Sequence, residues 1–157
     1  STSELNPSWI VLSSFVYPNQ KWSFVTMNNK VIMTGDALVD NIKQFDIFTS
    51  SFTDLFQNDL SSEAVHIRAK YLVSKSNYLL AINCSDITLA GGTTYYPSRV
   101  YYSYLNKQSS FTYNRFFDIR TNDGQELTGG GAGFDAVHLA KESSWHVVSF
   151  SFLIIPS

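Results

Sequence analysis

Apolar and polar residues alternate along much of this chain, and a period of two is the pattern of a strand with one face buried. Over residues 65–73, Val65, Ile67, Ala69, Tyr71 and Val73 point one way while His66, Arg68 and Lys70 point the other. That predicts a strand with one core face and one wet face. Phe111, Tyr113, Phe117 and Ile119 likewise oppose Thr112, Asn114 and Asp118, with Arg115 and Phe116 out of phase. Residues 22–27, 77–84 and 99–105 read as further strands. Residues 145–155 are apolar on nearly both faces, which predicts a closing strand enclosed at the centre of the core.

Turn signals separate these runs: Tyr17-Pro18-Asn19, Asn28-Asn29, Thr34-Gly35-Asp36, Gly91-Gly92, Asn122-Asp123-Gly124 and Gly129-Gly130-Gly131-Ala132-Gly133. Short strands punctuated this regularly predict an all-β sandwich or barrel. Only residues 53–60 could hold a helical turn, capped by Ser51 or Thr53. No repeat or linker divides the chain, so residues 1–157 are expected to form a single domain.

Composition narrows the function. Aromatic residues make up 15% of the chain, which suits pleated, half-buried surfaces. Eleven Lys and Arg stand against 13 Asp and Glu, with no basic cluster, so a nucleic-acid partner is not expected. Apolar runs such as 9–12 and 153–155 are far too short to cross a bilayer, so no membrane insertion is expected. Cys84 is the one cysteine, which excludes an intramolecular disulfide. It reads as a small buried residue.

Catalytic and metal chemistry finds little footing. The glycine run is followed by Phe134-Asp135 where a phosphate loop needs Gly-Lys-Ser/Thr, so it reads as a flexible surface loop. His66, His138 and His146 lack ligand spacing. Asn83-Cys84-Ser85 matches a glycosylation acceptor but falls in a predicted strand. No cofactor, metal or enzymatic activity is expected. What stands out is Thr93-Thr94-Tyr95-Tyr96-Pro97-Ser98-Arg99, which joins hydroxyls, phenols and a guanidinium, and Lys21-Trp22, a cation beside an indole. Aromatic faces stack on the apolar faces of sugars while hydroxyls and cations bond the polar rim.

Several segments together resemble the outer head of the rotavirus spike protein. Trp9-Ile10-Val11-Leu12 and Lys21-Trp22 match near the start. Pro97-Ser98-Arg99-Val100-Tyr101, Tyr104-Leu105-Asn106-Lys107 and Phe111-Thr112-Tyr113-Asn114 match a hairpin, and Phe134-Asp135-Ala136-Val137-His138-Leu139 and Phe152-Leu153-Ile154-Ile155-Pro156 match the last third. From about residue 35 to about residue 77 the likeness is weak, which points to a divergent rotavirus outside group A. The resemblance implies a galectin-like sandwich of two antiparallel sheets. It also implies display on the virion surface and attachment to host cell-surface glycans. The partners expected are a host glycan and the remainder of the spike, with the isolated head monomeric.

In sialic-acid-binding members an arginine stands where Lys21 falls, and a Tyr-Tyr-Ser run stands near Thr128-Gly129-Gly130. A lysine keeps the charge without the bidentate fork. A neutral glycan of histo-blood-group type is therefore the expected ligand. The candidate contacts are Lys21, Trp22, Tyr95, Tyr96, Arg99, Thr128, Gly129 and Gly130, with Thr128–Gly131 taken as a loop. The competing expectation is a trimeric fibre head or a tumour-necrosis-factor-like module that binds a protein receptor.

Overall fold

The structure is a computed structural model and describes residues 21–35, 39–56, 65–87 and 92–149. These residues form antiparallel strands and no helix. The first sheet is the meander β1 (Ser23–Met27), β2 (Lys30–Thr34), β3 (Lys43–Asp46) and β4 (Ser51–Asp54). The central sheet is β5 (His66–Lys75), β6 (Tyr78–Ile87), β7 (Thr93–Tyr102) and β8 (Phe116–Asp118). The third has the order β11-β10-β9, with β9 at Leu127–Ala132, β10 at Ala136–Lys141 and β11 at Trp145–Ser149. The all-β, antiparallel reading thus holds, with three hydrogen-bonded sheets where two were expected.

Two-residue hairpins set the register. Met27 pairs with Lys30 and Lys75 with Tyr78, leaving Asn28-Asn29 and Ser76-Asn77 as the loops, all four at positive φ. Such loops match the strand twist, and asparagine tolerates the left-handed region well.

The core lies on both sides of the central sheet. Ile67, Ala69, Leu72, Leu79, Ala81 and Tyr101 face the first sheet, where Met27, Ile32 and Ile42 meet them. Val73, Leu80, Ile82 and Val100 face the third, against Leu127, Val137 and Leu139. Strand β6 is buried at every position but its last. The enclosed central strand is therefore β6, not the C-terminal segment. Of residues 145–155 the structure describes 145–149. Among the described residues β11 pairs with β10 alone, and Trp145 and Val147 are exposed.

Other expectations are corrected too. The outward face of β5 is half-buried rather than fully wet: His66 stacks on Phe56, Arg68 donates to Asn41 and Lys70 to Glu126. Its alternation also slips, since Ala69 faces one core and Tyr71 the other. The slip falls at Lys70, opposite Asn83, whose φ of 58° lies at the bulge between β6 and β7. Across the same bulge on β7 sits Pro97, which has no N–H to give a ladder. Residues 53 and 54 belong to β4 rather than to a helical turn, and 57–60 lie outside the described residues. Residues 93–99 begin β7, and only 116–118 of the 111–119 run form a strand.

The glycine run is strand β9, not a loop. Glycine is a poor strand former, so packing must account for it. A Cβ on Gly130 would lie 2.6 Å from Ile82 Cδ1 and 3.1 Å from the His138 carbonyl oxygen, whereas one on Gly131 would meet nothing within 4 Å. Gly130→Ala is expected to cost about 1–3 kcal/mol through overpacking. Gly131→Ala should cost less than about 0.5 kcal/mol. Urea denaturation of the two variants checks this, and equal losses would place the close contact elsewhere.

A groove between three strand edges

Strands β1, β5 and β9 each stand at the edge of their sheet among the described residues, and between them runs a groove of about 550 Å³. Phe24 and Thr26 of β1 form one wall, Leu72 and Ser74 of β5 the floor, and Gly130 and Gly131 of β9 the other wall. None of the described lining residues is charged. Phe24 is 59% exposed, and Trp22 stacks on it with centroids 6.4 Å apart and planes 25° apart. The groove thus pairs an aromatic wall with a wall of two glycines and Ala132. Hydroxyls of Thr26 and Ser74 lie beside them.

The eight expected site residues fall into two groups. Lys21 is exposed and, with Trp22, precedes β1, while Gly130 lines the far wall of the same groove. Thr128 and Gly129 lie just upstream in β9, and the Thr128 hydroxyl donates to the Ala140 carbonyl. Tyr95, Tyr96 and Arg99 are on β7 and line a smaller pocket, of about 110 Å³, with Asp118 and Thr121.

Arg99 is tightly held. Its guanidinium makes a two-pronged bond to Asp118 at 2.8 and 3.0 Å and lies 3.8 Å from the Tyr96 ring centre and 3.7 Å from that of Phe116. Burial opposes its charge, but the Asp118 carboxylate outweighs this and its pKa is raised. Burial likewise pushes the neighbouring Tyr101 phenol up to about 12. With two aromatic rings against its guanidinium and a carboxylate engaged, Arg99 serves first to join β7 to β8. Beside this pocket the ammonium of Lys141, with no side-chain exposure, bonds Asp123, Ser98 and the Arg120 carbonyl. That fastens the Asn122–Gly124 turn to β10.

Glu126 links the two groups. Its Oε2 accepts from Lys70 at 3.0 Å, Asn83 at 3.0 Å and the Tyr95 hydroxyl at 2.9 Å. It sits one residue before β9, so it ties the start of the glycine strand to β5, β6 and β7. The hydrogen bonds from Lys70 and then Asn83 hold its carboxyl below the ordinary value of 4.5. Burial raises the Tyr95 phenol, and its bond to Glu126 adds to this.

Two sequence features are settled by burial. Asn83 has no exposure, and its amide is committed to Glu126 and the Leu127 carbonyl, so this acceptor is closed to a glycosylating enzyme. Cys84 is fully buried, which pushes its thiol up to about 12. It is an inert core residue.

Sequence reasoning missed Phe24, Glu126 and Lys70. Phe24 was findable, because Trp22, Phe24 and Thr26 share a strand face by simple alternation. No local signal marks Glu126, whose partners come from three other strands. No protein-family model matches this chain, and no curated protein matches it.

A carboxyl with a depressed folded pKa adds stability above its unfolded pKa and loses it as pH falls through the folded value. Glu126 should therefore support folding at neutral pH and cease to do so in acid. Urea midpoints for the parent and Glu126→Gln, taken between about pH 7 and about pH 3, should differ most at the neutral end and converge in acid. A gap that does not change with pH would show that the charge of Glu126 is not what holds β9.

Proposed function

We propose that this chain is a carbohydrate-binding attachment domain whose ligand is a neutral glycan held in the groove between β1, β5 and β9. One observation carries the reading: an exposed phenylalanine wall faces a glycine wall across a groove whose described lining has no charge. A pyranose ring has an apolar C–H face for the aromatic wall and hydroxyls for the edges of the strands. The side chains of Thr26 and Ser74, both in the lining, suit such hydroxyls as hydrogen-bond partners. An uncharged lining favours a neutral sugar over an acidic one.

The resemblance to the rotavirus spike head extends this proposal. In it the ligand is a host cell-surface glycan of histo-blood-group type and the domain sits on the virion surface, joined to the remainder of the spike. The galectin-like form of the sandwich belongs to the same proposal, as does binding without turnover by a monomeric head.

A glycan array with the purified domain tests the reading, with Phe24→Ala as its partner measurement. The domain is expected to retain neutral glycans in preference to sialylated ones. Loss of the Phe24 ring should weaken retention by about 1–2 kcal/mol while leaving the fold intact, because that side chain lies mostly outside the core. A folded domain that retains no glycan at millimolar sensitivity would end the proposal. Equal binding by Phe24→Ala would move the site out of the groove.

A further inference from the structure

In the third sheet the residues that point away from the core form cross-strand rows. Gly131, His138 and Val147 make one row, and Gly129, Ala140 and Trp145 the next. The intervening Val137 and Leu139 face the second core. Trp145 is 67% exposed, so an indole face lies in water on the outside of the sheet. Its orientation is fixed. Nε1 donates to His138 Nδ1 at 3.1 Å, with ring centres 5.7 Å apart. Because Nδ1 accepts, the ring proton of the neutral imidazole sits on Nε2 and is a donor. Gly133 makes room for this ring, since a Cβ there would lie 2.6 Å from Nε2.

Beside the indole the sheet drops to bare backbone. Among the described residues a Cβ at Gly129 or at Gly131 would meet nothing within 4 Å, so these leave the space above both open. The outer face is therefore an aromatic platform next to a ledge one side chain deep, and its two rows carry no Asp, Glu, Lys or Arg. A protein partner would need a broad apolar patch, yet half of this face is glycine and alanine. A single sugar ring fits better, with its C–H face on the indole and its hydroxyls over the ledge.

We propose that this face is a second sugar-contacting surface, centred on Trp145, which takes a neutral pyranose ring. The inference rests on the glycan reading of the groove and deepens it. Gly131 belongs both to the ledge and to the groove, so the two surfaces meet across the backbone of β9. One oligosaccharide reaches both, and the preferred ligand is then an oligosaccharide rather than a monosaccharide.

Nitrogen-edited NMR spectra of the domain separate the outcomes. The sequence has three tryptophans, and Trp145→Phe identifies the indole signal of Trp145. The probes are methyl β-galactoside, N-acetyllactosamine and the blood-group A tetrasaccharide. The longer sugars are expected to shift the Trp145 indole N–H and the Gly129 amide together with the amides of Phe24 and Gly130. Trp145→Ala should weaken the tetrasaccharide about tenfold and methyl β-galactoside less. Gly129→Val provides a variant that keeps the platform: the open space admits its side chain without disturbing the fold, and the filled ledge should also lower affinity. Shifts at Phe24 and Gly130 with none at Trp145 or Gly129, and parent-like affinity in both variants, would overturn the second surface and leave the groove standing. No shift with any probe would overturn both.

Discussion

Burial of the central sheet on both faces is the constraint on which this structure depends. A strand with water on one side needs apolar residues at alternate positions only, whereas β6 must satisfy a core on each side. Tyr78, Leu80 and Ile82 fill one and Leu79, Ala81 and Cys84 the other. Each fully buried Leu or Ile contributes about 1.5–3 kcal/mol relative to exposure. The two outer sheets are held by this double face more than by contact with one another.

The polar end of the same strand determines where the candidate site stands. Beyond Ile82, strand β6 continues with Asn83, Ser85 and Asp86, which are also buried. A buried polar group must find partners, and Asn83 finds Glu126 and the Leu127 carbonyl across the bulge. That bond, with those from Lys70 and Tyr95, anchors the start of β9. Gly130 then passes so close to Ile82 and the His138 carbonyl that a larger residue would force its neighbours to shift. Core packing thus dictates glycine at one position of β9, while open space at Gly129 and Gly131 leaves a surface free of side chains.

Alternation made the strand content legible, and Asn28-Asn29 announced its hairpin correctly. The layers were harder to see. Arg68 and Lys70 looked like a wet face because long cations usually reach water, but here their heads bond Asn41 and Glu126. Asn83, Ser85 and Asp86 disguised the most buried strand as a half-polar one. Glycine's low strand propensity argued for a loop at 129–133, and close approach to Ile82 and His138 overrides that preference. Trp145 was taken for core because 145–155 is apolar on nearly both faces, yet its register opposite Ala140 turns it outward. Of the expected site, Gly130 lines the groove and Trp22 stacks on its Phe24, but no local pattern in the sequence announces that neighbourhood. The commitment of Arg99 to Asp118 and two rings was not legible either, because Phe116 and Asp118 meet it only through pairing of β7 with β8.

The central claim is that a rigid, doubly buried sheet presents the glycine strand as the ligand-bearing element. Amide hydrogen exchange, measured with and without saturating blood-group A tetrasaccharide, tests it most directly. The account predicts that Leu79–Ile82 exchange only through global unfolding in both states, and that Gly129, Gly130 and Gly131 exchange faster alone and slow markedly with the sugar. Exchange of the β6 amides through local opening, or unchanged exchange in β9 when the sugar is bound, would contradict it.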